Sequence, residues 1–242
     1  MPQNQFVGPV AEGYDAASTE MYAPALLEAT VSFLAAEARG GNALEFGIGT
    51  GRIALPLSER GIAVHGIDIS ADMIEQLRRK PGAEAITTTV GDFAETVVGG
   101  ELSLVYVVYN SICNLLDQSE WVQTFRNAAR HLCAGGRFVM ELFVPDLRRF
   151  PPGAEAITVD FTPHHVGFDT LDLATQRGVS HHFFIKDGTV DHLAGGFRYA
   201  WPAELDLMAE IAGMTLLERW ADWDHSPFTG ESRKHISVWE RH

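Results

Sequence analysis

Short apolar runs and segments of helical spacing alternate along the first 145 residues. The runs predict buried strands, at residues 43–46, 62–67, 86–90, 102–108 and 137–144. Between them, apolar residues recur at helical spacing, over residues 52–59, 70–80 and 118–132. Strands separated by helices of this size predict a parallel sheet covered by helices on both faces. The carboxyl ends of its strands should share one rim, which is where open α/β sheets bind ligands.

The pattern is different on both sides of this region. Residues 1–13 are polar and should be loose in the absence of a ligand. Residues 154–200 lack a helical period; polar and apolar side chains alternate there ahead of a hairpin turn at Asp187-Gly188, which predicts a small antiparallel insertion laid over the sheet. A helix at 201–212 and strands at 214–220 and 232–239 are expected to complete the sheet.

Composition limits the possible partners. The 242 residues are 46% hydrophobic and 21% charged, as in ordinary globular proteins, and the net charge is -14. This acidic balance argues against binding to nucleic acid or to an anionic membrane surface, because both need clustered Lys and Arg. We find no signal peptide and no apolar run of membrane-spanning length, so a cytoplasmic location is expected.

Residues 43–51 carry the strongest chemical signal. A short strand containing Glu45 leads into Gly47, Gly49 and Gly51, and a helix follows. This arrangement is typical of nucleoside-binding loops, in which glycines let the backbone approach the ligand. A dinucleotide fingerprint requires a small residue where Arg52 stands, and an acidic residue before the loop suits an ammonium group better than a pyrophosphate.

The glycine pattern resembles motif I of class I S-adenosylmethionine (SAM) dependent methyltransferases. Further matches follow in the family's order: Asp68 ends the second strand, Asp92-Phe93 follow the third, and residues 132–138 resemble the entry to strand five, with Ala134 in place of the usual proline. The resemblance implies an α/β fold, a Rossmann-like doubly wound seven-stranded sheet with a small antiparallel β insertion. It divides the chain into a SAM-binding core (1–145), an insertion acting as acceptor lid or dimer contact (146–200), and a segment completing the core sheet (201–242).

The resemblance also implies which residues bind SAM and its product S-adenosylhomocysteine. Asp68 would accept the ribose hydroxyls, Asp92 the adenine amino group, and Glu45 would face the ammonium group. Tyr14 and Tyr22 resemble the paired tyrosines that close over SAM in small-molecule N-methyltransferases. The full predicted set is Tyr14, Tyr22, Glu45, Gly47, Gly49, Gly51, Asp68, Ile69, Met73, Asp92, Phe93 and Tyr109.

The acceptor is less well defined. The tyrosine pair and the insertion resemble nucleotide-sugar N-methyltransferases of bacterial secondary metabolism, so a small-molecule acceptor methylated on nitrogen is favoured. C- or O-methylation of an aromatic or indole-type metabolite is the alternative. Adjacent strand residues point to opposite faces, so only one of His181 and His182 can face the acceptor. We select His182 as the candidate general base and Tyr14 as a second candidate catalytic residue.

Two rivals from other classes stay open: an NAD(P)-dependent oxidoreductase and a SAM-binding protein without catalysis. No metal site is predicted, because the ten histidines show no ligand spacing. The exposed hairpin is a candidate surface for a homodimer.

Overall fold

The computed structural model describes residues 4–149, 151 and 153–242. Six α-helices lie within these ranges: α1 Pro9–Ala17, α2 Pro24–Ala38, α3 Ala54–Glu59, α4 Ala71–Arg78, α5 Gln118–His131 and α6 Pro202–Ile211. The strands are β1 Ala43–Phe46, β2 Val64–Asp68, β3 Thr87–Val90, β4 Leu102–Val107, β5 Leu132–Phe143, β6 Ala156–Phe161, β7 His165–Asp172, β8 Arg177–Lys186, β9 Thr189–Arg198, β10 Met214–Trp220 and β11 Lys234–Arg241.

The main sheet has seven strands in the order β10-β11-β5-β4-β1-β2-β3. The five strands from β5 to β3 pair in parallel, whereas β11 is antiparallel to both β5 and β10. This is the predicted seven-stranded α/β sheet, and the fold class is confirmed. The predicted strand boundaries lie within two residues of the observed ones, except that β5 begins at Leu132, five residues before the predicted start at 137. Apolar spacing does not mark where pairing begins or stops.

Side chains of alternate residues in β4 enter separate cores on the two faces of the sheet. Leu104 and Tyr106 pack with α2, α3 and α4, whereas Val105 and Val107 pack with α5 and α6. With both faces covered, functional polar groups can reach a ligand only at the carboxyl edge of the strands. In the part of the chain that the structure describes, no helix is long and apolar enough to cross a membrane.

A second sheet of four antiparallel strands, in the order β6-β7-β8-β9, covers part of that edge. The turn between β8 and β9 lies at Asp187-Gly188, where both residues have positive φ, as the hairpin prediction requires. Arg177 ties this sheet to the core by donating to the carbonyl of Leu116 over 2.9 Å. Arg198 pairs with Glu204 at the start of α6.

The N-terminal segment differs from the prediction. Residues 1–13 were expected to be loose, but α1 begins at Pro9, which occupies the first helical turn where its missing N–H costs nothing. Residues 1–3 lie outside the described chain, and the predicted break at residues 151–153 is described only in part. Helix α1 contacts α4, and its Asp15 accepts from the hydroxyl of Thr50 in the glycine loop.

Candidate active site

The carboxyl ends of β1, β2 and β4 meet around a cavity of about 330 Å³, which we term the donor cavity. Nine of the twelve residues predicted to bind SAM line it: Tyr14, Gly47, Gly49, Asp68, Ile69, Met73, Asp92, Phe93 and Tyr109. Its lining within the described chain does not include Tyr22, Glu45 or Gly51. The cavity has the size and the mixed polar and apolar lining of a small-molecule site.

The glycine loop bends sharply between β1 and α3. Gly47 and Gly49 have φ values of 72° and 56°, which glycine adopts without strain. A Cβ atom on Gly47 would lie 3.1 Å from Cβ of Ser111, so a side chain there would crowd the cavity wall. Gly51 has another role: its Cβ would lie 2.7 Å from Cδ1 of Leu77, so the glycine allows the loop to pack against α4.

Asp68 holds the glycine loop from the end of β2. Its Oδ2 accepts from the Gly49 N–H over 2.7 Å, and its Oδ1 accepts from the Ser70 N–H over 2.8 Å. Burial raises the pKa of Asp68 above its ordinary value, although these two backbone donors oppose the shift. Each oxygen retains a lone pair for a further donor, so the carboxylate can accept two hydroxyl groups of a ribose.

Asp92 follows β3 in a tight local turn. Its Oδ1 accepts from the N–H of Ala94 over 2.8 Å, and the other oxygen has no recorded partner among the described residues. Phe93 stacks on Phe46 with a centroid distance of 5.5 Å, so its ring is fixed beside the cavity. A carboxylate next to apolar side chains is suited to an adenine ring and its amino group.

Glu45 lies below the loop, against a small second cavity of about 40 Å³ that shares Gly47, Gly49 and Tyr109 with the donor cavity. Its Oε2 accepts from the hydroxyl of Tyr106 over 2.9 Å. Burial raises the pKa of Glu45 to about 8, while Tyr106 and the charge of Arg52 act in the opposite direction. A cation entering this region would therefore strongly favour the charged carboxylate.

The two predicted tyrosines have different positions. Tyr14 lines the donor cavity, and burial raises its pKa to about 12. The hydroxyl of Tyr22 instead donates to Oδ1 of Asp15 over 2.5 Å. Asp15 also accepts from the hydroxyl of Thr50 over 2.6 Å and pairs with Lys80. Tyr22 therefore helps to fasten α1 to the glycine loop, and α1 carries Tyr14.

The segment after β4 forms the opposite wall. Tyr109 and Asn110 both have positive φ, an uncommon conformation outside glycine. Hydrogen bonds hold it: Tyr109 N–H donates to Oε2 of Glu141 over 3.0 Å, and Oδ1 of Asn110 accepts from Phe143 N–H over 2.8 Å. The 3₁₀ turn Ser111–Asn114 follows at once and places Ser111 and Asn114 against the donor cavity.

Five lining residues were absent from the predicted set: Phe6, Ser18, Ser111, Asn114 and Leu115. Phe6 comes from the extended stretch before α1 and packs edge-on against Tyr14 at 5.8 Å. No local motif marks Phe6 or Ser18, since tertiary contacts alone bring them to the site. The other three follow the fourth strand, and the position of that strand end was the available signal.

His182 lines a neighbouring cavity of about 240 Å³, which we term the side cavity. It shares Phe6 and Asn114 with the donor cavity. His181, on the opposite face of β8, contacts His192 instead. The alternation along β8 therefore places His182, and not His181, beside the site.

His182 belongs to a chain of four hydrogen-bonded side chains. His165 Nδ1 lies 2.5 Å from Oδ2 of Asp160, and His165 Nε2 lies 2.9 Å from Nδ1 of His182. His182 Nε2 lies 3.0 Å from the hydroxyl oxygen of Ser180, which also lines the side cavity. Burial, and then the neighbouring His165, lower the pKa of His182. A neutral imidazole with this alignment can accept a proton from Ser180.

Within the described residues, no group of three or more His, Cys, Asp or Glu side chains could hold a metal ion. The donor cavity instead presents carboxylates, backbone N–H groups and aromatic rings. This set fits a molecule that combines a ribose, an adenine and a charged amino acid.

The chain resembles known proteins in sequence and in structure. A model of the methyltransferase domain matches residues 43–136. The structure of the CcbJ methyltransferase from Streptomyces caelestis superposes with a TM-score of 0.85 and is 33% identical, over 96% of each chain. The cypemycin N-terminal methyltransferase of a Streptomyces species is 28% identical over 84% of each chain.

A more distant structure has the same fold. SAM-bound CalS10, an amino pentose methyltransferase from Micromonospora echinaspora involved in calicheamicin biosynthesis, superposes with a TM-score of 0.69 at 19% identity, over 99% of each chain. The glycine loop, the strand-end carboxylates and the full-length match to CcbJ lead to one conclusion. The chain belongs to the SAM-dependent methyltransferases.

Proposed function

We propose that this enzyme methylates an amine nitrogen of a small metabolite in bacterial secondary metabolism. The observation that carries the proposal is the position of the histidine chain. It ends at the side cavity, which shares two lining residues with the donor cavity. The names of the relatives support nitrogen as the acceptor atom, since they include an N-terminal methyltransferase and an amino pentose methyltransferase.

In this proposal the donor cavity holds SAM through its predicted residues. Asp68 binds the ribose hydroxyls, and Asp92 with Phe93, Ile69 and Met73 binds the adenine. Glu45 stabilises the ammonium group from below the loop, with Gly47 and Gly49 supplying backbone contact. Tyr14 and Tyr109 present aromatic rings near the positive charge, which such rings favour. Tyr22 and Gly51 act indirectly, through α1 and through packing on α4.

Arg52 is suited to the carboxylate of the methionine moiety. Its guanidinium lies 5.6 Å from the ring centroid of Tyr109 and lines the small cavity beside Glu45. Together, Arg52 and Glu45 offer opposite charges to the two charged groups of an amino acid. This pairing distinguishes SAM from a dinucleotide and accounts for a bulky residue after the third glycine.

The sulfonium of SAM supplies the methyl group, and the protein has to align a neutral amine and remove one proton. Alignment contributes much of the rate of such a displacement. In our proposal the ammonium proton passes to Ser180 as the Ser180 proton passes to Nε2 of His182. His182 then donates from Nδ1 to His165, which releases its Nδ1 proton towards Asp160. The side chains of Ser180, His182, His165 and Asp160 are hydrogen-bonded in this order.

The alternatives differ in when the base acts. A carbon or oxygen acceptor on an aromatic or indole-type metabolite needs a base at the reacting atom during transfer, whereas an amine loses its proton after transfer, through Ser180 and His182. Tyr14, the other candidate catalytic residue, is a poor base because burial raises its pKa to about 12. Membership of the methyltransferase family excludes the NAD(P)-dependent oxidoreductase as the main reading.

A titration and a pH profile test the proposal. We expect S-adenosylhomocysteine to bind in calorimetry and NADH to show no binding; the reverse result would contradict the assignment. Radiolabelled SAM with a panel of primary amines should give base-stable N-methyl products. His182→Gln should lower kcat by about tenfold or more, as loss of an acid–base group does, and should abolish the acidic limb of its pH profile. His181→Gln is the matched control and should leave both unchanged.

A further inference from the structure

A fourth cavity, of about 430 Å³, lies between the two sheets, and we term it the inter-sheet cavity. One side is formed by residues after β4 and β5, and the other by one face of the four-stranded sheet. Its lining is mostly apolar, with side chains that include Phe143, Val144, Leu147, Ile157, Leu171 and Phe197. A cavity of this size and character suits the apolar body of a small molecule.

Two polar side chains in this lining have buried atoms without a partner. The hydroxyl of Tyr199 is unpaired among the described residues, although the residue is only 1% exposed. Oδ1 of Asp169 is likewise buried and unpaired among them. An unsatisfied buried polar group costs about 1–3 kcal/mol, so such groups are rare unless a ligand satisfies them. Asp169 pairs in register with Ser180, the end of the histidine chain, which also lines this cavity.

The inter-sheet cavity adjoins the donor cavity across one thin wall. Asn110 and Cys113 line the inter-sheet cavity, while Ser111 and Asn114, between and beside them in sequence, line the donor cavity. The side cavity borders both regions, since it shares Ser180 and Phe197 with the inter-sheet cavity and Asn114 with the donor cavity. The side cavity is therefore the route by which a molecule in the inter-sheet cavity would extend an amine towards the donor cavity.

We propose that the inter-sheet cavity binds the acceptor through a second polar group. The acceptor is then an amine joined, through an apolar body, to a distal hydrogen-bond donor, such as a hydroxyl, that pairs with Asp169. The inference rests on the proposed function and specifies the substrate class for the same site. The Asp169 carboxylate can only accept, so the distal group has to be a donor.

The test uses two probes that differ only in the distal group. Tyramine carries a phenolic hydroxyl, and phenethylamine has the same amine and ring without it. With the protein saturated by S-adenosylhomocysteine, we expect tyramine to bind about tenfold more tightly, the weight of one hydrogen bond to a charged group. Ligand-observed NMR at millimolar probe concentration gives both dissociation constants. Equal affinity, including no binding by either amine, would overturn the inference.

Two variants locate the effect. Asp169→Asn should remove the preference for tyramine, whereas Asp191→Asn, an exposed position on β9, should retain it. A preference that survives Asp169→Asn would contradict the assignment.

The same measurements separate this inference from the proposed function. Calorimetry with S-adenosylhomocysteine tests the donor cavity alone and involves neither Asp169 nor Tyr199. Tight S-adenosylhomocysteine binding without a tyramine preference would reject the inference and retain methyltransferase activity. Failure of S-adenosylhomocysteine to bind would reject the proposed function itself.

Discussion

Three carboxylates at neighbouring strands of the sheet receive different hydrogen-bond donors. Glu45 is buried below the glycine loop and receives one side-chain hydroxyl. Asp68 receives two backbone N–H groups, and Asp92 receives one. Donors to a carboxylate favour its charged form, while burial favours the neutral form. A carboxylate can therefore suit a neutral ribose at one strand end and a cation at another.

Asp68→Asn tests the ribose role. The amide can accept from only one of the two backbone N–H groups and turns its own NH2 group towards the other, so we expect a lower melting temperature as well. It cannot accept on both sides, so S-adenosylhomocysteine should bind about tenfold or more weakly, from a loss of roughly 1–3 kcal/mol. Calorimetry measures this loss. Glu75→Gln, at an exposed position on α4, is the control, and an unchanged affinity for Asp68→Asn would contradict the role.

Glu45→Gln tests the buried carboxyl through pH. Burial raises the pKa of Glu45 to about 8, from an ordinary 4.5, so the folded protein retains a proton that the unfolded chain loses. This contribution to stability is present at low pH and is lost as the pH rises between these two values. Glutamine cannot lose a proton, so the melting temperature of the variant should fall less than that of the parent between about pH 5 and about pH 9.

The same variant should bind S-adenosylhomocysteine more weakly, because the ammonium group loses its counter-charge. Calorimetry and thermal unfolding on one sample series measure both effects. Tyr106→Phe provides the comparison, as it removes the hydroxyl that supports Glu45 and retains the carboxyl. Parallel pH curves for the parent and Glu45→Gln would show that Glu45 does not titrate in this range.

Much of the donor cavity was predictable at the level of residues. Strand ends, glycine spacing and the family resemblance built on them identified eight of the lining residues, and the resemblance to paired N-terminal tyrosines added Tyr14. Tyr22 is an instructive exception. Sequence showed a tyrosine at a suitable position, but its hydroxyl is engaged by Asp15 on another helix. Such an engagement depends on how α1 is placed, which local spacing does not encode.

Among the elements, α1 shows why the N-terminal segment was predicted to be loose. Of its residues only Ala11 is buried, so there is no apolar stripe for a pattern to reveal. Polar contacts hold the helix instead. Asp15 accepts from Tyr22 and Thr50 and pairs with Lys80, and thereby connects α1 to the glycine loop and to the end of α4.

Asp15→Asn should release this helix. Burial acts to raise the pKa of Asp15, but hydrogen bonds from Lys80, Thr50 and Tyr22 outweigh it and lower the pKa. Its contribution to stability is therefore present above the ordinary pKa and is lost as the pH falls through the folded value. At neutral pH the variant should show faster amide exchange over residues 9–17 and several-fold weaker S-adenosylhomocysteine binding, since Tyr14 lies on α1.

Hydrogen exchange by mass spectrometry measures the first effect and calorimetry the second. Glu12→Gln is the control on the same helix, at an exposed position. Exchange over residues 9–17 that is equal in Asp15→Asn and in the parent would show that other contacts hold α1.

The antiparallel strands show what the alternation of side chains along a strand can predict and what it cannot. Alternation selected the face of β8 that carries His182, and the structure places that face beside the side cavity. It could not reveal that Asp160 and His165 extend the chain. The pairing of β6 with β7 shifts register between Thr158 and Asp160, and such an irregularity changes which side chains meet.

In the whole molecule, the two sheets line different cavities of the site. The seven-stranded sheet supplies most of the donor cavity, and the four-stranded sheet supplies one side of the inter-sheet cavity. The fold class was predictable because alternating strands and helices leave few arrangements. The wall between the cavities was not, because the positive φ values of Tyr109 and Asn110 depend on hydrogen bonds to β5.

A buried ion pair helps to attach the four-stranded sheet to the core, in addition to the contact of Arg177 with Leu116. Arg198 is 2% exposed, lies 4.8 Å from the ring centroid of Trp121, and donates to Oε1 of Glu204. Glu204 also accepts from Gln118 and Gln176, so three parts of the chain meet at one carboxylate. Burial acts to raise the pKa of Glu204, but these three donors lower it.

Glu204→Gln should weaken this attachment and leave the donor cavity intact. Removing one partner of a buried pair leaves Arg198 without its counter-ion, at a cost of about 3 kcal/mol, or roughly 6–12 °C in melting temperature. Because the contribution of Glu204 is lost as the pH falls through its lowered pKa, the difference from the parent should shrink in acid. Thermal unfolding from neutral pH to about pH 3 follows this change, and Glu210→Gln, exposed on the same helix, is the control.

With the four-stranded sheet less firmly attached in Glu204→Gln, acceptor turnover should fall while the dissociation constant for S-adenosylhomocysteine stays unchanged. If turnover falls and the dissociation constant rises, both sheets form the donor site, and the assignment of separate roles to the two sheets is wrong.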